Sequence, residues 1–302
     1  MFDMMIIGGG PAGVSAALYT ARAGLSTAIV YKDTGALTNA NVVDNFYGRG
    51  ETSGPELVIE GIDHAKRVGV EILNEEVVSI SLEKNFIVKT MDDVYETCML
   101  IMATGASRKS PKIKGIDIYE GKGVSHCAVC DAFFFRGKNV AVLGSGAYAL
   151  SEAIILKPLA KNVMIFTNNK KITTDFTDEF LIKTEVISEL RGKDILQEIV
   201  LETGEIIPIE GLFVAIGVAG GSELALKLGA RVELHNIVTD KNQRTTIPGL
   251  WAAGDCTHGM RQIVKAVYEG AIAGSDAVKY LQVYKKNNCD RFSADAMKAW
   301  ET

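Results

Sequence analysis

Cysteine is scarce in this chain of 302 residues: five are present, and only Cys127 and Cys130 lie close together. Such uneven spacing excludes the disulfide framework that is typical of small secreted domains. Cationic charge is not in excess either, because 32 lysines and arginines stand against 37 aspartates and glutamates. This balance argues against nucleic acid as the main partner, since phosphate binding needs a net basic face.

Long apolar runs are missing as well. No uninterrupted stretch approaches the roughly 18 residues of a membrane helix, so no membrane partner is expected. Residues 1–25 resemble a signal peptide only loosely, because Asp3 stands where cationic residues are needed and a glycine cluster interrupts the apolar part. We therefore interpret the start of the chain as mature structure and expect a cytoplasmic protein.

The length of the chain exceeds the roughly 250 residues at which single cores tend to split, so two domains are expected. The apolar run 4–7 breaks at Gly8-Gly9-Gly10 and resumes as a helical pattern from Pro11, which predicts a strand, a glycine turn and a helix. The same order recurs at 139–167 around Gly144-Ser145-Gly146. Two such units predict an α/β fold with two Rossmann-like (three-layer ββα) dinucleotide-binding domains.

The two domains are not expected to follow one another along the chain. An alternating region at 68–94 predicts a small antiparallel sheet, and the run 247–255 looks like the strand and turn of the first domain returning before an amphipathic helix. The second domain would then be inserted into the first. We place the first domain at residues 1–110 and 244–302, and the second at residues 114–241.

The first glycine loop fits the pattern G-x-G-x-x-G between a strand and a helix. Gly8 would make the tight turn, Gly10 would let the backbone approach a pyrophosphate, and Gly13 would permit close packing of helix on strand. The alternative is a glycine-rich turn without a ligand. An acidic residue is expected after the next strand to hold ribose hydroxyls, and the chain has Tyr31-Lys32-Asp33 there, so either Asp33 serves or the contact is lost.

A Cys-x-x-Cys motif is formed by Cys127 and Cys130. Two thiols at this spacing on a helix N-terminal turn can close a disulfide, and the helix end lowers the pKa of the attacking thiol. Asp131 stands where thiol exchange needs a proton donor and acceptor, or else it is a charge in the first helical turn. A zinc site and an inert buried pair are the alternatives, although no second Cys/His pair with matching spacing accompanies this one.

Taken together, the motifs resemble one known family. The chain is similar over about residues 1–281 to the low-molecular-weight thioredoxin reductases. The motifs that carry this resemblance are Gly8 to Gly13, Asn45-Phe46-Tyr47-Gly48, Ala103-Thr104-Gly105-Ala106, Cys127 to Asp131, Gly217, Gly254-Asp255 and Arg261-Gln262. The resemblance implies a homodimeric flavoprotein that reduces thioredoxin, with FAD in the first domain and the redox pair in the second.

The resemblance also implies roles for individual residues. Cys130 would face the flavin, Cys127 would attack the thioredoxin disulfide, and Asp131 would serve as acid and base, while the domains rotate to exchange access to the cysteines. The implied cofactor-binding residues are Gly8, Gly10, Pro11, Ala12, Gly13, Tyr31, Lys32, Asn45, Thr104, Gly105, Ala106, Gly254, Asp255, Arg261 and Gln262.

The second glycine loop departs from the family pattern. Ala147 and Tyr148 replace polar residues, and the tyrosine would occupy space that a pyrophosphate needs. At the end of the next strand the family has arginines that clamp the 2′-phosphate of NADPH, whereas this chain has Asn168-Asn169-Lys170-Lys171. A polar Gly-His-x-Pro-Asn stretch is also changed, to Gly-Val-Ala-Gly-Gly at 217–221. These losses predict a degenerate NAD(P)H-type domain.

The loss of the coenzyme grip is similar to the pyridine-nucleotide-independent branch of the family, the ferredoxin-linked flavin thioredoxin reductases. Reduced ferredoxin is therefore the expected electron donor. One alternative is an NADPH enzyme in which Lys170 and Lys171 replace the arginines, and another is a flavin-loaded regulatory protein without turnover. Because ferredoxins are acidic, a basic patch is expected, unless its candidates are ordinary solvated residues: Lys109, Lys112, Lys114 and Lys122, or Lys285, Lys286 and Arg291.

The C-terminal tail has a serine cap and helical spacing of apolar residues. Its Trp300 would stack over the flavin, unless the tail packs on its own domain or is frayed. Cys98, Cys256 and Cys289 are expected to be small core residues.

Overall fold

A computed structural model describes residues 1–33, 35–106, 111–176, 179–216, 220–286, 291 and 293–301. The chain divides into two compact units, the first formed by residues 1–107 and 220–302 and the second by residues 108–219. Residues 220–241, which the sequence assigned to the second domain, group with the first unit. Their hydrogen bonds explain this, because the Ile237 amide donates to the Cys256 carbonyl at 2.8 Å and the Arg231 amide to the Thr246 hydroxyl at 3.0 Å.

The first segment of the first unit alternates strands and helices. Its elements are β1 (Phe2–Ile7), α1 (Pro11–Arg22), β2 (Thr27–Val30), α2 (Gly54–Arg67), β3 (Glu71–Leu73), β4 (Val77–Leu82), β5 (Phe86–Thr90) and β6 (Val94–Met102), with a 3-10 turn at Ala36–Asn39. The predicted helix after the glycine loop is thus confirmed at α1, where proline at the first helical position fixes a helical φ.

The second unit has its own parallel sheet. Its elements are β7 (Val124–Ser125), α3 (Ala128–Asp131), β8 (Asn139–Leu143), α4 (Ala147–Leu156), β9 (Asn162–Phe166), β10 (Leu181–Lys183), β11 (Ile187–Arg191), β12 (Glu198–Leu201), β13 (Ile206–Pro208) and β14 (Gly211–Val214), with a 3-10 turn at Ala132–Phe135. The parallel strands follow the order β10-β9-β8-β14-β7, and β11, β12 and β13 form a separate antiparallel sheet.

The chain then returns to the first unit. The elements there are α5 (Gly221–Lys227), β15 (Val232–Glu233), β16 (Asn236–Ile237), β17 (Leu250–Ala252), α6 (Ile263–Lys286) and α7 (Ala294–Glu301). The sequence pattern predicts this last long helix over residues 262–280, and α6 continues to Lys286 because Leu281 and Tyr284 extend its buried face. Among the helices of the described residues, none combines the length and the apolar sequence that a membrane span requires.

Strand β6 organises the sheet of the first unit. It pairs in parallel with β1 along one edge, from Phe2 opposite Thr97 to Ile7 opposite Met102. On its other edge the first half pairs with antiparallel β5 and the last residues pair with parallel β17. The antiparallel region predicted at 68–94 is therefore not a sheet of its own but part of a seven-stranded sheet, because β6 begins early enough to pair with β5.

Helices α1 and α6 pack on this sheet with very little space between them. A Cβ atom on Gly270 would lie 2.1 Å from the Ala12 carbonyl oxygen, and one on Gly274 would lie 2.6 Å from the Ala16 carbonyl oxygen. Only glycine fits at such distances. The two helices therefore meet backbone to backbone, and this holds the N-terminal turn of α1 close to the start of α6.

The C-terminal helix docks on the first unit through a buried polar pair. The Arg244 guanidinium donates to the Asp276 carboxylate at 2.6 and 2.9 Å, and to the carbonyl of Trp300 at 2.7 Å. The indole rings of Trp300 and Trp251 pack edge to face, with centroids 4.8 Å apart, and the Trp251 indole donates to Asp276. Trp300 is therefore part of the core of its own unit.

Replacing Asp276 with asparagine leaves the Arg244 guanidinium buried without a countercharge. Because breaking a buried pair in this way is strongly unfavourable, we expect the free energy of unfolding to fall by about 3 kcal/mol or more, measured by urea denaturation. The control is Asp63→Asn, which removes an exposed charge beside Lys66 on α2 and is expected to change stability by less than about 0.5 kcal/mol. Equal stabilities of the two variants would contradict a structural role for the buried pair.

Candidate active site

The first glycine loop has three glycines in three different environments. Gly8 has a φ of +119°, and a Cβ there would lie 2.2 Å from the Ala103 carbonyl oxygen. A Cβ on Gly13 would lie 1.9 Å from the Gly8 carbonyl oxygen, whereas one on Gly10 would meet nothing within 4 Å. The loop is thus closed by packing at Gly8 and Gly13 and open at Gly10, where the sequence predicted that a pyrophosphate approaches.

The N-terminus of α1 lies at this opening. Gly10 is its N-cap residue and Pro11 its first residue, and no side chain caps the helix. The first turn contains no acidic residue, so the partial positive charge of the helix end is not neutralised there. Amide groups, helix dipole and open backbone together suit the diphosphate of a dinucleotide such as FAD.

The residues after β2 are engaged with neighbours in the first unit. The ring of Tyr31 covers Gly9, because a Cβ on that glycine would lie 2.8 Å from a ring carbon. Lys32 forms an ion pair with Glu76, and the Asp33 carboxylate accepts from the Gly35 amide at 3.0 Å. Asp33 therefore supports the local turn, and its predicted contact with a ribose stays a prediction.

The Gly254-Asp255 turn is held by two side chains of α6. The Gly254 amide donates to the Glu269 carboxylate at 2.8 Å, and the Lys265 ammonium donates to the Gly254 carbonyl at 2.9 Å. Lys265 and Glu269 also form an ion pair of 3.2 Å one helical turn apart. Sequence reasoning missed both residues, although their i, i+4 spacing directly after the Arg261-Gln262 motif was a visible signal.

Several of the predicted cofactor residues lie together in the first unit. The Asn45 side-chain amide donates to the Gln262 side-chain oxygen at 3.1 Å, across 217 positions of sequence. A Cβ on Gly254 would lie 2.9 Å from the Ala12 side chain, so the turn after β17 touches the first turn of α1. Just after the end of β6 lie Thr104, Gly105 and Ala106. Asp255 is half-buried and Arg261 is exposed.

In the second unit, Cys127 and Cys130 form a disulfide with their Cα atoms 5.4 Å apart. Cys127 is the N-cap residue of α3, and the Cys130 amide donates to its sulfur at 3.3 Å. Cys127 is 3% exposed, whereas Cys130 is exposed. Within the described residues, no group of three or more His, Cys, Asp or Glu side chains is placed to hold a metal ion.

Asp131 is linked to the backbone of Cys127 through a serine. The Ser125 hydroxyl donates to the Asp131 carboxylate at 2.6 Å and accepts from the Cys127 amide at 3.1 Å. The carboxylate is therefore oriented toward the segment that carries the disulfide, which fits a group that gives and takes a proton during thiol exchange.

The cysteines outside this pair are poorly suited to thiol exchange. Cys98 and Cys256 are buried thiols outside any disulfide, and Cys289 lies outside the described residues. Burial raises the pKa of the Cys256 thiol to about 11, which keeps it protonated and unreactive at neutral pH. Cys127 and Cys130 are thus the pair whose geometry suits redox chemistry.

The second glycine loop keeps the skeleton of a dinucleotide turn. A Cβ on Gly144 would lie 2.2 Å from the Ala215 carbonyl oxygen and 2.7 Å from the Ala149 side chain. The segment after β9 folds back on this loop, since the Thr173 amide donates to the Ser145 carbonyl at 2.9 Å. Residues 217–219, the first part of the changed Gly-Val-Ala-Gly-Gly stretch, lie outside the described residues.

The chain makes a tight turn after the end of β9. Asn168 and Asn169 have φ values of 52° and 56°, a left-handed conformation that asparagine adopts more readily than most residues. The Asn168 side chain accepts from the Ile187 amide at 2.6 Å. Lys170 and Lys171 are exposed.

The candidate basic patches are only partly available on the surface. Lys112, Lys114 and Lys122 are exposed, with Lys114 paired to Glu189 at 2.7 Å, and Lys109 lies outside the described residues. In the other set Lys285 and Lys286 are exposed, with Lys285 paired to Asp3. The prediction that Arg291 is a surface cation is wrong, because its side chain is 2% exposed. Its guanidinium donates to the carbonyls of Lys84, Pro248 and Cys98.

Comparison with known proteins agrees with this arrangement. Residues 2–270 match the family described as pyridine nucleotide-disulphide oxidoreductase. The chain is 33% identical over 305 residues to a thioredoxin reductase of Listeria innocua, covering 95% of this chain and 96% of that protein. The structure of an atypical thioredoxin reductase, TRi, from Desulfovibrio vulgaris Hildenborough is similar with a TM-score of 0.86 and 36% identity, covering 93% of this chain and 98% of that one.

A ferredoxin-flavin thioredoxin reductase from Clostridium acetobutylicum is similar with a TM-score of 0.68 and 32% identity, covering 93% of this chain and 98% of that one. The thioredoxin reductases of this family depend on FAD, and the open loop at Gly10 fits that cofactor. The two Rossmann-like units and the redox disulfide pair match the thioredoxin reductase fold. The chain therefore belongs to the pyridine nucleotide-disulphide oxidoreductase family, among its flavin-dependent thioredoxin reductases.

Proposed function

We propose that this protein reduces thioredoxin with electrons from reduced ferredoxin, which FAD passes to the Cys127–Cys130 disulfide. Two reduced ferredoxins would each give one electron, and two protons would complete the conversion of one thioredoxin disulfide to two thiols. FAD supplies the step between one-electron and two-electron chemistry. The observation that carries the proposal is the second glycine loop, whose surroundings lack a grip for a phosphorylated adenosine in the residues described.

Three features of the second unit support this donor. Tyr148, at the start of α4, is 2% exposed, and its hydroxyl donates to the His126 carbonyl at 3.2 Å, so its ring is fixed near the loop. Asn168 and Asn169 form a left-handed turn where the family carries arginines. The cations that follow, Lys170 and Lys171, are exposed point charges without the bidentate geometry of arginine.

The energetics and one relative are consistent with the same donor. The reduction potentials of a plant-type ferredoxin, about −400 mV, and of a thioredoxin, about −270 mV, differ by ~130 mV. Transfer of two electrons from ferredoxin to thioredoxin is therefore favourable by roughly 6 kcal/mol. The similar protein from Clostridium acetobutylicum is named a ferredoxin-flavin thioredoxin reductase. In the second unit, the residues that remain as candidates to contact an acidic ferredoxin are the exposed Lys112, Lys114 and Lys122.

Residues of both units would have separate roles in FAD binding and in electron transfer. The α1 N-terminus and Gly10 would bind the diphosphate of FAD, and the Gly254-Asp255 turn would hold the ribityl side. Cys130, which is exposed, would take the electrons, and Cys127 would attack the thioredoxin disulfide after rearrangement exposes its sulfur. Asp131 would act as acid and base, giving and taking a proton during thiol exchange. We also propose that the protein works as a cytoplasmic homodimer.

Gly10→Val tests the FAD site. Because a Cβ at this position meets no protein atom within 4 Å, the variant is expected to fold. The valine side chain would fill the place of the diphosphate, so the affinity for FAD should fall at least about 100-fold. FAD content of the purified protein and the circular dichroism spectrum are the measurements. As a control, Gly50→Val adds the same side chain at an exposed glycine of the first unit, which lies outside the left-handed region and whose Cβ would meet nothing within 4 Å, and it is expected to retain FAD. Full FAD content in Gly10→Val would contradict the assignment.

The donor is tested by anaerobic stopped-flow mixing of the oxidised flavoprotein with photoreduced ferredoxin, NADPH or NADH. We expect rapid loss of the flavin's visible absorbance with ferredoxin and none with either pyridine nucleotide. Rapid bleaching by micromolar NADPH would show instead the NADPH enzyme that Lys170 and Lys171 could support. In that case Lys170→Glu/Lys171→Glu would weaken NADPH use, whereas under our proposal it leaves ferredoxin-driven turnover unchanged.

Replacing Cys127 or Cys130 with serine should abolish reduction of thioredoxin while leaving reduction of the flavin by its donor intact, because each variant lacks one half of the disulfide. The measurement is ferredoxin-driven appearance of thioredoxin thiols. Cys256→Ala, which alters a buried thiol outside the pair, is expected to stay active. Unchanged activity in both serine variants would refute electron transfer through the Cys127–Cys130 dithiol.

If the unaltered protein shows no turnover with any donor, that result would support a regulatory flavoprotein instead.

A further inference from the structure

Helix α4 contacts the segment that carries the redox disulfide on both sides of Cys127. Tyr148 and Glu152 are one helical turn apart and lie on the same face of α4. The Tyr148 hydroxyl donates to the His126 carbonyl at 3.2 Å, and the Glu152 carboxylate accepts from the Ala128 amide at 2.7 Å. Both side chains are almost fully buried, at 2% and 1% exposure. The peptide groups before and after Cys127 are therefore each held by α4.

We propose that Glu152 is a positioning residue that sets the redox potential of the Cys127–Cys130 pair, acting through the Ala128 amide. The inference rests on the redox role of this pair and on its proposed reaction with thioredoxin, and it does not depend on which donor reduces the flavin. Glu152 belongs to no sequence motif that indicates this role, because its partner lies 24 positions earlier in the sequence.

The physical basis is competition for the amides at the start of α3. A cysteine at a helix N-terminus is stabilised as a thiolate by the amide groups there. The Cys130 amide already points at the sulfur of Cys127, at 3.3 Å. The Ala128 amide is instead taken by the Glu152 carboxylate, whose negative charge disfavours a thiolate beside it. Glu152 thus destabilises the reduced pair relative to the disulfide and makes the dithiol a stronger reductant.

Other ionisable groups of this segment make contacts of their own. Asp131 on α3 is bonded to Ser125, and His126 lies 3.6 Å from the Glu120 carboxylate. Arg136 follows the 3-10 turn and lies over the ring of Phe133 at 5.4 Å. Glu152 differs from these because it is buried and bonded directly to an amide between the two cysteines.

Opening the disulfide takes two electrons and two protons, and yields the thiols of Cys127 and Cys130, one of which loses its proton to become the attacking thiolate. A group that disfavours this thiolate shifts the equilibrium of the pair toward the disulfide. Removing the charge of Glu152 should therefore shift that equilibrium toward the dithiol.

The test is the thiol-disulfide equilibrium of the FAD-loaded protein in glutathione buffers, followed by alkylation and mass spectrometry of the Cys127–Cys130 peptide. Glu152→Gln keeps an oxygen that can accept from the Ala128 amide but removes the carboxylate. We expect an approximately tenfold shift toward the dithiol, which corresponds to about 30 mV for a two-electron couple. Tyr148→Phe removes a hydrogen bond without changing charge, and is expected to shift the equilibrium less than threefold.

Glu205→Gln, which alters an exposed glutamate of the same unit paired to Lys183, is the control and is expected to leave the equilibrium unchanged. If Glu152→Gln fails to fold, Glu152→Asp withdraws the carboxylate from the amide and is expected to give a smaller shift in the same direction. An equilibrium equal to that of the unaltered protein in whichever variant folds would overturn the proposal. Because glutathione replaces both donor and thioredoxin, an error in the proposed donor would leave this result unaffected.

Discussion

Backbone contact without side chains is the constraint on which the first unit depends. At Gly8, Gly13 and Gly270 a Cβ atom would fall between 1.9 and 2.2 Å from a carbonyl oxygen of a neighbouring element, so strand, loop and two helices meet at their main chains. This closeness places the N-terminus of α1 at the end of β1 and brings α6 near enough for Glu269 to accept from the Gly254 amide. The proposed FAD site is thus a consequence of packing that only glycine permits.

The same strand, turn and helix serve different purposes in the two units. In the first, the helix after the glycine loop begins at Gly10 without a side-chain cap and with open space in front of it. In the second, the helix after Gly146 directs Tyr148 and Glu152 to the peptide groups around Cys127. A shared scaffold therefore does not fix a shared ligand, since the side chains at the start of the helix decide what the helix contacts.

The sequence predicted local structure well where a short apolar run is bounded by glycine or polar residues. The apolar runs at 139–143 and 162–166 predict two strands, and β8 and β9 have these bounds. The Asn45–Gln262 contact joins two residues that the family resemblance had assigned to one site. Partners distant in sequence were beyond such reasoning. Arg291 looked like a surface cation because its carbonyl partners lie in segments far away along the chain.

The polar contacts at the Gly254-Asp255 turn show the same limit. Lys265 and Glu269 form an i, i+4 pair that a sequence can display, but the Gly254 amide they hold comes from a different turn. Periodicity shows which face of α6 is buried, and it does not show which buried polar group that face will meet. The residues missed at the site are therefore those whose role depends on a main-chain atom elsewhere.

The left-handed turn at Asn168 and Asn169 limits how coenzyme use could be engineered into this chain. Arginine side chains placed there would supply charge, but each would have to adopt a conformation that costs an ordinary L-residue roughly 1 kcal/mol or more. The Asn168 side chain would also no longer accept from the Ile187 amide. A designer seeking a pyridine-nucleotide enzyme would have to rebuild the backbone of this turn before choosing its charges.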